Sequence, residues 1–203
     1  MADFEDHSEE GSGPIVFAFA SENDFRFEWG HFLQSVGAPH VLFRDTIDRW
    51  YMYGVDGIGD VDAVINFIKS KCSQKKSIAM GLSKGGHGAL RYAKLAGLDE
   101  VIAISPVTVV GSAGYEDFEP HWHERVGRNL PFHIEDLKPM YAKGPNPKVS
   151  MFISNGAGCE LDQGMAVRLD HGTITFIPNY DHGGRNNLAV AMRDNGMLRD
   201  LLK

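Results

Sequence analysis

A chain of 203 residues with 43% hydrophobic and 23% charged residues predicts one globular domain that is large enough to bury a core. Its formal net charge of −7 argues against nucleic acid or an anionic membrane surface as the main partner. No apolar run approaches the roughly 20 residues of a membrane span, and the acidic first residues lack the pattern of a secretory signal. With only Cys72 and Cys159, no disulfide framework is expected, and a cytoplasmic location is the simpler interpretation.

Residues 1–13 are acidic and small and are predicted to form a flexible tail. From Pro14 onward, short apolar runs alternate with helical patterns. Each run is rich in β-branched or aromatic residues and is nearly continuous in its apolar content, which is typical of strands buried on both faces of a parallel sheet. The runs are residues 14–20, 40–45, 77–82, 100–106, 148–155 and 173–179.

Helical patterns separate these runs at about residues 25–36, 60–71, 84–96, 161–169 and 185–196. The alternation predicts one α/β domain over residues 14–203, with a mostly parallel central sheet of about six strands that is flanked by helices. Ligands of such a sheet bind beyond the carboxyl ends of its strands. The long connection at about residues 111–147 is predicted to form a small cap, with a helix in the sequence HIEDLKPMY.

The strongest functional motif is GLSKG, which lies between the third apolar run and a helical pattern. A nucleophilic serine must stand clear of the sheet, and a sharp strand–turn–helix places it there with no room for side chains on either side. Ser83 is therefore the candidate nucleophile. The alternative is a tight turn with an incidental serine, but the strand before it and the helix after it favour catalysis.

A nucleophilic serine needs a base, and the base needs an acid that orients it. His182 follows the sixth run in a polar, glycine-rich loop and is the candidate base. Asp162 and Glu160 both follow the fifth run, and Asp162 is preferred as the acid because it directly precedes the helical pattern QGMAVRL. Glu160 remains the alternative, and either carboxylate instead fits a helix cap or a solvated loop.

An oxyanion formed at Ser83 would need two N–H donors. One is the backbone N–H of Lys84, at the start of the following helix, and the Lys84 side chain is expected to face solvent. The other is expected in the loop FASEND after the first run, where Ser21 is the candidate donor and Ala20 and Glu22 are its neighbours.

Three aromatic residues after the second run, Trp50, Tyr51 and Tyr53, are candidates for substrate binding. They either wall a pocket and stack on a sugar ring or cover the edge of the sheet. His87 is interpreted as a packed histidine rather than a second base. The sequence HWHE at residues 121–124 lacks the usual spacing of metal ligands, so no metal site is expected, and no cofactor is implied.

These features resemble a small member of the α/β-hydrolase superfamily over residues 14–196. The resemblance implies the chain order serine, acid, histidine, and it implies that the two strands often found before the first run are missing. More narrowly, the chain resembles bacterial hydrolase-like proteins that often accompany polysaccharide or glycan genes. That resemblance rests on LFRDTIDRWYMYGVDGIGD, GLSKGGHGALRYA and VIAISP.

The chemistry predicted from these residues is cleavage of a short-chain carboxylic ester through an acyl-enzyme at Ser83. A second hypothesis keeps the same residues but passes the acyl group to, or removes it from, a sugar or polysaccharide hydroxyl. A third is a non-catalytic module that binds a glycan or a protein. The expected partner is therefore a small-molecule ester or an acylated sugar.

Overall fold

The computed structural model describes residues 2–21, 26–47, 49–72, 75–110, 135–156, 158–182 and 186–203. Its strands are β1 (Phe4–His7), β2 (Ile15–Phe19), β3 (His40–Phe43), β4 (Ser77–Leu82), β5 (Glu100–Ile104), β6 (Val109–Val110), β7 (Glu135–Asp136), β8 (Lys148–Ser154) and β9 (Thr173–Ile177). Its helices are α1 (Gly30–Ser35), α2 (Val61–Lys71), α3 (Lys84–Ala96), α4 (Lys138–Tyr141), α5 (Glu160–Leu169), α6 (Leu188–Asp194) and α7 (Met197–Leu201).

Seven strands form one sheet in the order β1-β3-β2-β4-β5-β8-β9. All pairs run parallel except β1 with β3. The six predicted strands and the mostly parallel sheet are confirmed, and each predicted helical pattern contains a helix. In the described residues, α1 and α6 cover only part of the first and last helical patterns.

Two apolar layers explain why every residue of β2, β3 and β4 is buried. Side chains of α2, α3 and α5, such as Val64 and Leu90, cover one face of the sheet. Side chains of α1, α6 and α7, such as Leu33 and Met192, cover the other. None of the helices in the described ranges has the length and apolar content that a membrane span requires, and both cysteines are free thiols.

The first residues correct the prediction of a flexible tail over residues 1–13. β1 pairs antiparallel with β3, with Phe4 opposite Phe43, so one strand does precede the first apolar run. The Phe4 ring packs edge-on against Phe67, with ring centroids 5.5 Å apart. The acidic composition was misleading because β1 is an edge strand, where charged side chains face solvent and apolar residues are few.

A buried ion pair also fixes this segment. The Asp3 carboxylate accepts hydrogen bonds from Arg44 Nε at 3.0 Å and from Thr46 Oγ1 at 2.6 Å. Both charged side chains are nearly inaccessible to solvent, at 3% and 6% exposure. The pair therefore ties the chain before β1 to the loop after β3.

The predicted cap lies largely outside the described residues, which omit residues 111–134. The residues on either side of that segment lie together, because β6 and β7 pair antiparallel with Val110 opposite Glu135. Within HIEDLKPMY, the structure describes Glu135–Tyr141, where β7 precedes the four-residue helix α4. A cap over the cleft remains a prediction.

Glu135 anchors this connection to α3. Its carboxylate lies 3.0 Å from His87 Nε2 and accepts hydrogen bonds from Arg91 Nε at 2.9 Å. Burial alone would raise the pKa of Glu135, but hydrogen bonds and charge from His87 and Arg91 outweigh burial and lower this pKa from 4.5 to about 2. The predicted packing of His87 is confirmed, since it is fully buried and its Nδ1 lies 3.0 Å from Val107 O.

Glu135→Gln should lower the melting temperature at neutral pH, because it removes the anion that pairs with the buried Arg91 guanidinium. Since the folded-state pKa lies below the unfolded value, the carboxylate stabilises the fold above about pH 4.5, and this stabilisation is lost as the pH falls toward 2. Thermal melts of both proteins should therefore differ most above pH 4.5 and converge below it. Glu9→Gln, at an exposed position, is the control. A gap that is the same at every pH would contradict this account.

Candidate active site

Ser83 occupies a strained turn between β4 and α3. Its φ of 52° and ψ of −117° lie in a region that residues with a Cβ rarely adopt. The backbone around it holds this conformation, because Ser83 N donates to Ile104 O at 3.0 Å and Ser83 O accepts from His87 N at 3.1 Å.

Two glycines make the turn possible. A Cβ at Gly81 would lie 2.2 Å from Gly85 O, and a Cβ at Gly85 would lie 2.2 Å from Phe19 O. Both distances are far below any real contact, so neither position admits a side chain. Ser83 itself is half-buried, whereas both its neighbours in sequence are buried. The turn therefore presents this one hydroxyl beyond the carboxyl end of β4.

The structure brings Ser83, His182 and Asp162 together in one hydrogen-bonded series. His182 Nε2 lies 3.0 Å from Ser83 Oγ, and His182 Nδ1 lies 2.9 and 2.8 Å from the two Asp162 carboxylate oxygens. A carboxylate only accepts, so Nδ1 carries a proton. In the neutral ring Nε2 is then the acceptor that faces the Ser83 hydroxyl.

Asp162 and Glu160 lie in different surroundings, although both belong to the first turn of α5. Asp162 is 6% exposed and points at His182, whereas Glu160 is exposed to solvent. The positive end of the helix dipole favours a carboxylate in this turn. The geometry thus favours Asp162 as the partner of His182.

The two predicted oxyanion donors, the N–H groups of Lys84 and Ser21, lie in different hydrogen-bonding environments. The Lys84 N–H lies in the first turn of α3 directly after Ser83, at the positive end of the helix dipole. The Ser21 N–H instead donates to Glu28 Oε2 at 2.8 Å, and its hydroxyl donates to Glu28 Oε1 at 2.9 Å. Ser21 as the second donor is therefore wrong in this structure, because a carboxylate already binds its N–H. The neighbouring Ala20 N–H pairs with Phe43 O, and residue 22 lies outside the described ranges.

The Lys84 side chain was expected to face solvent, and this expectation is wrong. It is fully buried, and its Nζ lies 3.3 Å from Asp45 O and 3.8 Å from Asp45 Oδ2. A buried ammonium requires such partners, because desolvation without them is costly. The side chain therefore links the start of α3 to the loop after β3.

Two of the three candidate aromatic residues do not line an open pocket. Tyr51 is fully buried and its hydroxyl donates to Ala20 O at 2.8 Å, and Trp50 is 2% exposed and packs against His87. Substrate contacts by Trp50 and Tyr51 are therefore ruled out in this conformation. Tyr53 is 40% exposed, and its role in binding stays a prediction.

The sequence did not predict the charged partners that hold His87 and Lys84 in place. Glu135 lies 48 positions beyond His87, and Asp45 lies 39 positions before Lys84, so no local pattern links either pair. No group of three or more potential ligand side chains in the described ranges fits a metal ion, and residues 121–124 lie outside those ranges.

No family model and no curated protein matches the chain. Among solved structures, it is similar to a capsule O-acetyltransferase of Neisseria meningitidis serogroup A, with a TM-score of 0.68 and 13% identity over 96% of this chain and 89% of that one. It is also similar to a monoacylglycerol lipase of Paleococcus ferrophilus, with a TM-score of 0.59 and 12% identity over 100% and 98% of the two chains.

A third similar structure is acetyl xylan esterase 1 from a Thermoanaerobacterium species, with a TM-score of 0.57 and 15% identity over 95% of this chain and 74% of that one. At such low identity, these likenesses carry information about the fold alone. Together with the strand order and the strained serine turn, they establish that this chain has the α/β-hydrolase fold.

Proposed function

We propose that the protein is a serine hydrolase that cleaves short-chain carboxylic esters through an acyl-enzyme at Ser83. One observation carries this proposal: the series from Ser83 Oγ through His182 to Asp162, in which every link lies between 2.8 and 3.0 Å. Serine, histidine and a carboxylate in this arrangement convert a weak hydroxyl nucleophile into one that attacks an ester carbonyl.

The reaction has two halves. In the first, Ser83 Oγ forms a bond to the carbonyl carbon while His182 Nε2 takes the hydroxyl proton, and the alcohol then leaves with that proton. In the second, water attacks the acyl-enzyme, gives a proton to His182 and releases the acid, and the proton returns to Ser83. Asp162 keeps its hydrogen bond to Nδ1 throughout and stabilises the imidazolium.

Negative charge that develops on the carbonyl oxygen needs donors that are already in place. The N–H of Lys84 and the positive end of α3 would supply one of them beside Ser83. Only the backbone of Lys84 would serve as this donor, because its side chain forms an ion pair with Asp45.

A cavity near these residues is large enough for a small-molecule ester. A cavity of about 480 Å³ lies between α1 and α6, and Leu82 and Asn187 form part of its lining. Leu82 directly precedes Ser83, and Asn187 Nδ2 donates to His182 O at 3.0 Å, so two lining residues adjoin the proposed nucleophile and base, which do not themselves line the cavity. Its volume is in the range of small-molecule sites. Two of the similar structures are named for acetyl groups, which favours a short acyl group as the one transferred to Ser83.

Ser83→Ala should abolish hydrolysis of acetyl and butyryl esters, by more than about 10⁴-fold, and labelling by a fluorophosphonate probe. Its melting temperature should stay close to that of the wild type, because the residue is half-buried and its hydroxyl faces the partly exposed His182 ring rather than the apolar core. The wild type should turn over these esters faster than long-chain lipids. Wild-type activity in Ser83→Ala, or a wild type that neither reacts with the probe nor cleaves any short ester, would overturn the proposal and favour a binding module.

The pair Asp162 and Glu160 offers a matched test of the acid. Asp162→Asn should lower kcat by roughly 10³- to 10⁴-fold, because the amide no longer holds the productive tautomer of His182. Glu160→Gln, in the same turn but exposed, should change kcat less than about twofold. Steady-state kinetics of both variants decide the assignment, which is reversed if Glu160→Gln is the more damaging.

A second candidate function is transfer of the acyl group to a sugar hydroxyl, which the likeness to a capsule O-acetyltransferase favours. Both functions share the acyl-enzyme, so only the acceptor separates them. For a hydrolase, adding oligosaccharide acceptors to an acetyl ester should leave the yield of free acetate unchanged. Mass spectrometry that finds acetylated sugar at the expense of acetate would instead make the protein a transferase.

A further inference from the structure

Ser154 ends β8 and its side chain is fully buried. Its hydroxyl donates to Tyr180 O at 2.5 Å and accepts from Gly156 N at 3.1 Å and from Tyr180 N at 3.2 Å. A serine hydroxyl has one hydrogen to donate and two lone pairs that accept. All three are used here, and every partner is a backbone group.

These backbone groups belong to the two segments that carry the proposed acid and base. Gly156 lies in the turn between β8 and α5, and Asp162 lies in the first turn of that helix. Tyr180 lies in the loop after β9, two residues before His182. We call the turn between β8 and α5 the acid turn and the loop after β9 the base loop. One buried hydroxyl therefore joins the acid turn to the base loop.

Further hydrogen bonds hold each segment to its surroundings, and one from Asn155 N to Ile177 O at 3.4 Å joins the turn after β8 to the end of β9. Asn187 Nδ2 binds His182 O at 3.0 Å and fastens the base loop to α6, and Cys159 N donates to Gly156 O within the acid turn. Between the two segments, the Cys159 thiol lies 3.6 Å from Tyr180 O, and a thiol is a weak donor. The segments also touch directly, since a Cβ at Gly156 would lie 2.8 Å from Tyr180 O.

We infer that Ser154 is a positioning residue, which sets the alignment of His182 with Asp162 by fixing the base loop against the acid turn. It touches neither the reacting atoms nor the substrate. Its effect on turnover rests on the proposed function, whereas its effect on the His182–Asp162 hydrogen bond does not. Small displacements of a catalytic group are costly, so loss of this one hydroxyl should be visible in rate.

Ser154→Ala should lower kcat for an acetyl ester by about 10- to 100-fold and change KM less than about twofold. Ser77→Ala is the matched control, because Ser77 is also buried in a parallel strand and its hydroxyl also bonds across to a neighbouring segment, at Asp99. It lies at the opposite end of the sheet, so its kcat should be unchanged. Ser154→Cys keeps a weak donor and acceptor at this position and should give an intermediate kcat.

A double-mutant cycle separates positioning from general stability. In an Asp162→Asn background, Ser154→Ala should cost less than about a further twofold in kcat, because the contact that Ser154 aligns is already lost. If Ser154→Ala costs the same factor in both backgrounds, Ser154 acts only on stability and the inference is overturned.

A readout without turnover tests the same inference. The proton on His182 Nδ1 should give a low-field NMR resonance, which is identified by its loss in Asp162→Asn. It should be broadened or lost in Ser154→Ala and retained in Ser77→Ala. A folded Ser154→Ala that keeps a sharp resonance overturns the inference, and Ser154→Cys takes its place in the comparison if the alanine variant does not fold.

The proposed function fails separately. If the wild type shows no turnover and no probe labelling while the resonance depends on Ser154 as described, Ser154 still positions His182 and the hydrolase proposal is wrong. If turnover is present and the resonance and kcat both ignore Ser154, the hydrolase proposal stands and the positioning inference is wrong.

Discussion

Gly85 brings the first turn of α3 so close to the end of β2 that a Cβ would lie 2.2 Å from Phe19 O. This close approach packs α3 against the sheet directly after Ser83, which turns the chain with a strained φ of 52°. The same approach points the positive end of α3 at the space beyond the sheet. Because the carboxyl ends of parallel strands meet at one edge, the segments after β8 and β9 reach that space too.

Hydrogen bonds among Ser83, His87 and Val107 stabilise the strained backbone conformation of Ser83. Ser83 O accepts from His87 N at 3.1 Å and from Val107 N at 3.4 Å, and the His87 ring bonds back to Val107 O at 3.0 Å. Glu135 fixes the other side of that ring. Glu135, at the end of the long connection, and the turn at Ser83 therefore belong to one hydrogen-bond network, although they are far apart in sequence.

Six strands were predictable because a strand that is buried on both faces needs an unbroken apolar run, and such runs are visible in the sequence. β1 was missed because an edge strand has no such need, and FEDH has only one apolar residue in four. The proximity of Ser83, Asp162 and His182 was predictable because each follows a strand, at the same edge of the sheet. Ser154 could not be found, since a serine with three backbone partners has no sequence signature.

The errors at Trp50 and Tyr51 show what strand order alone cannot predict. Both residues follow β3 at the correct edge, which made them candidates, but both have a left-handed φ that turns the chain back beneath α3. A Cβ at Gly88 would lie 2.7 Å from the Tyr51 ring, so that helix position is glycine because the ring is buried against it. The Trp50 and Tyr51 side chains thus pack against the first turns of α3. Because this core is close-packed, the helix and the strained turn before it are held in position.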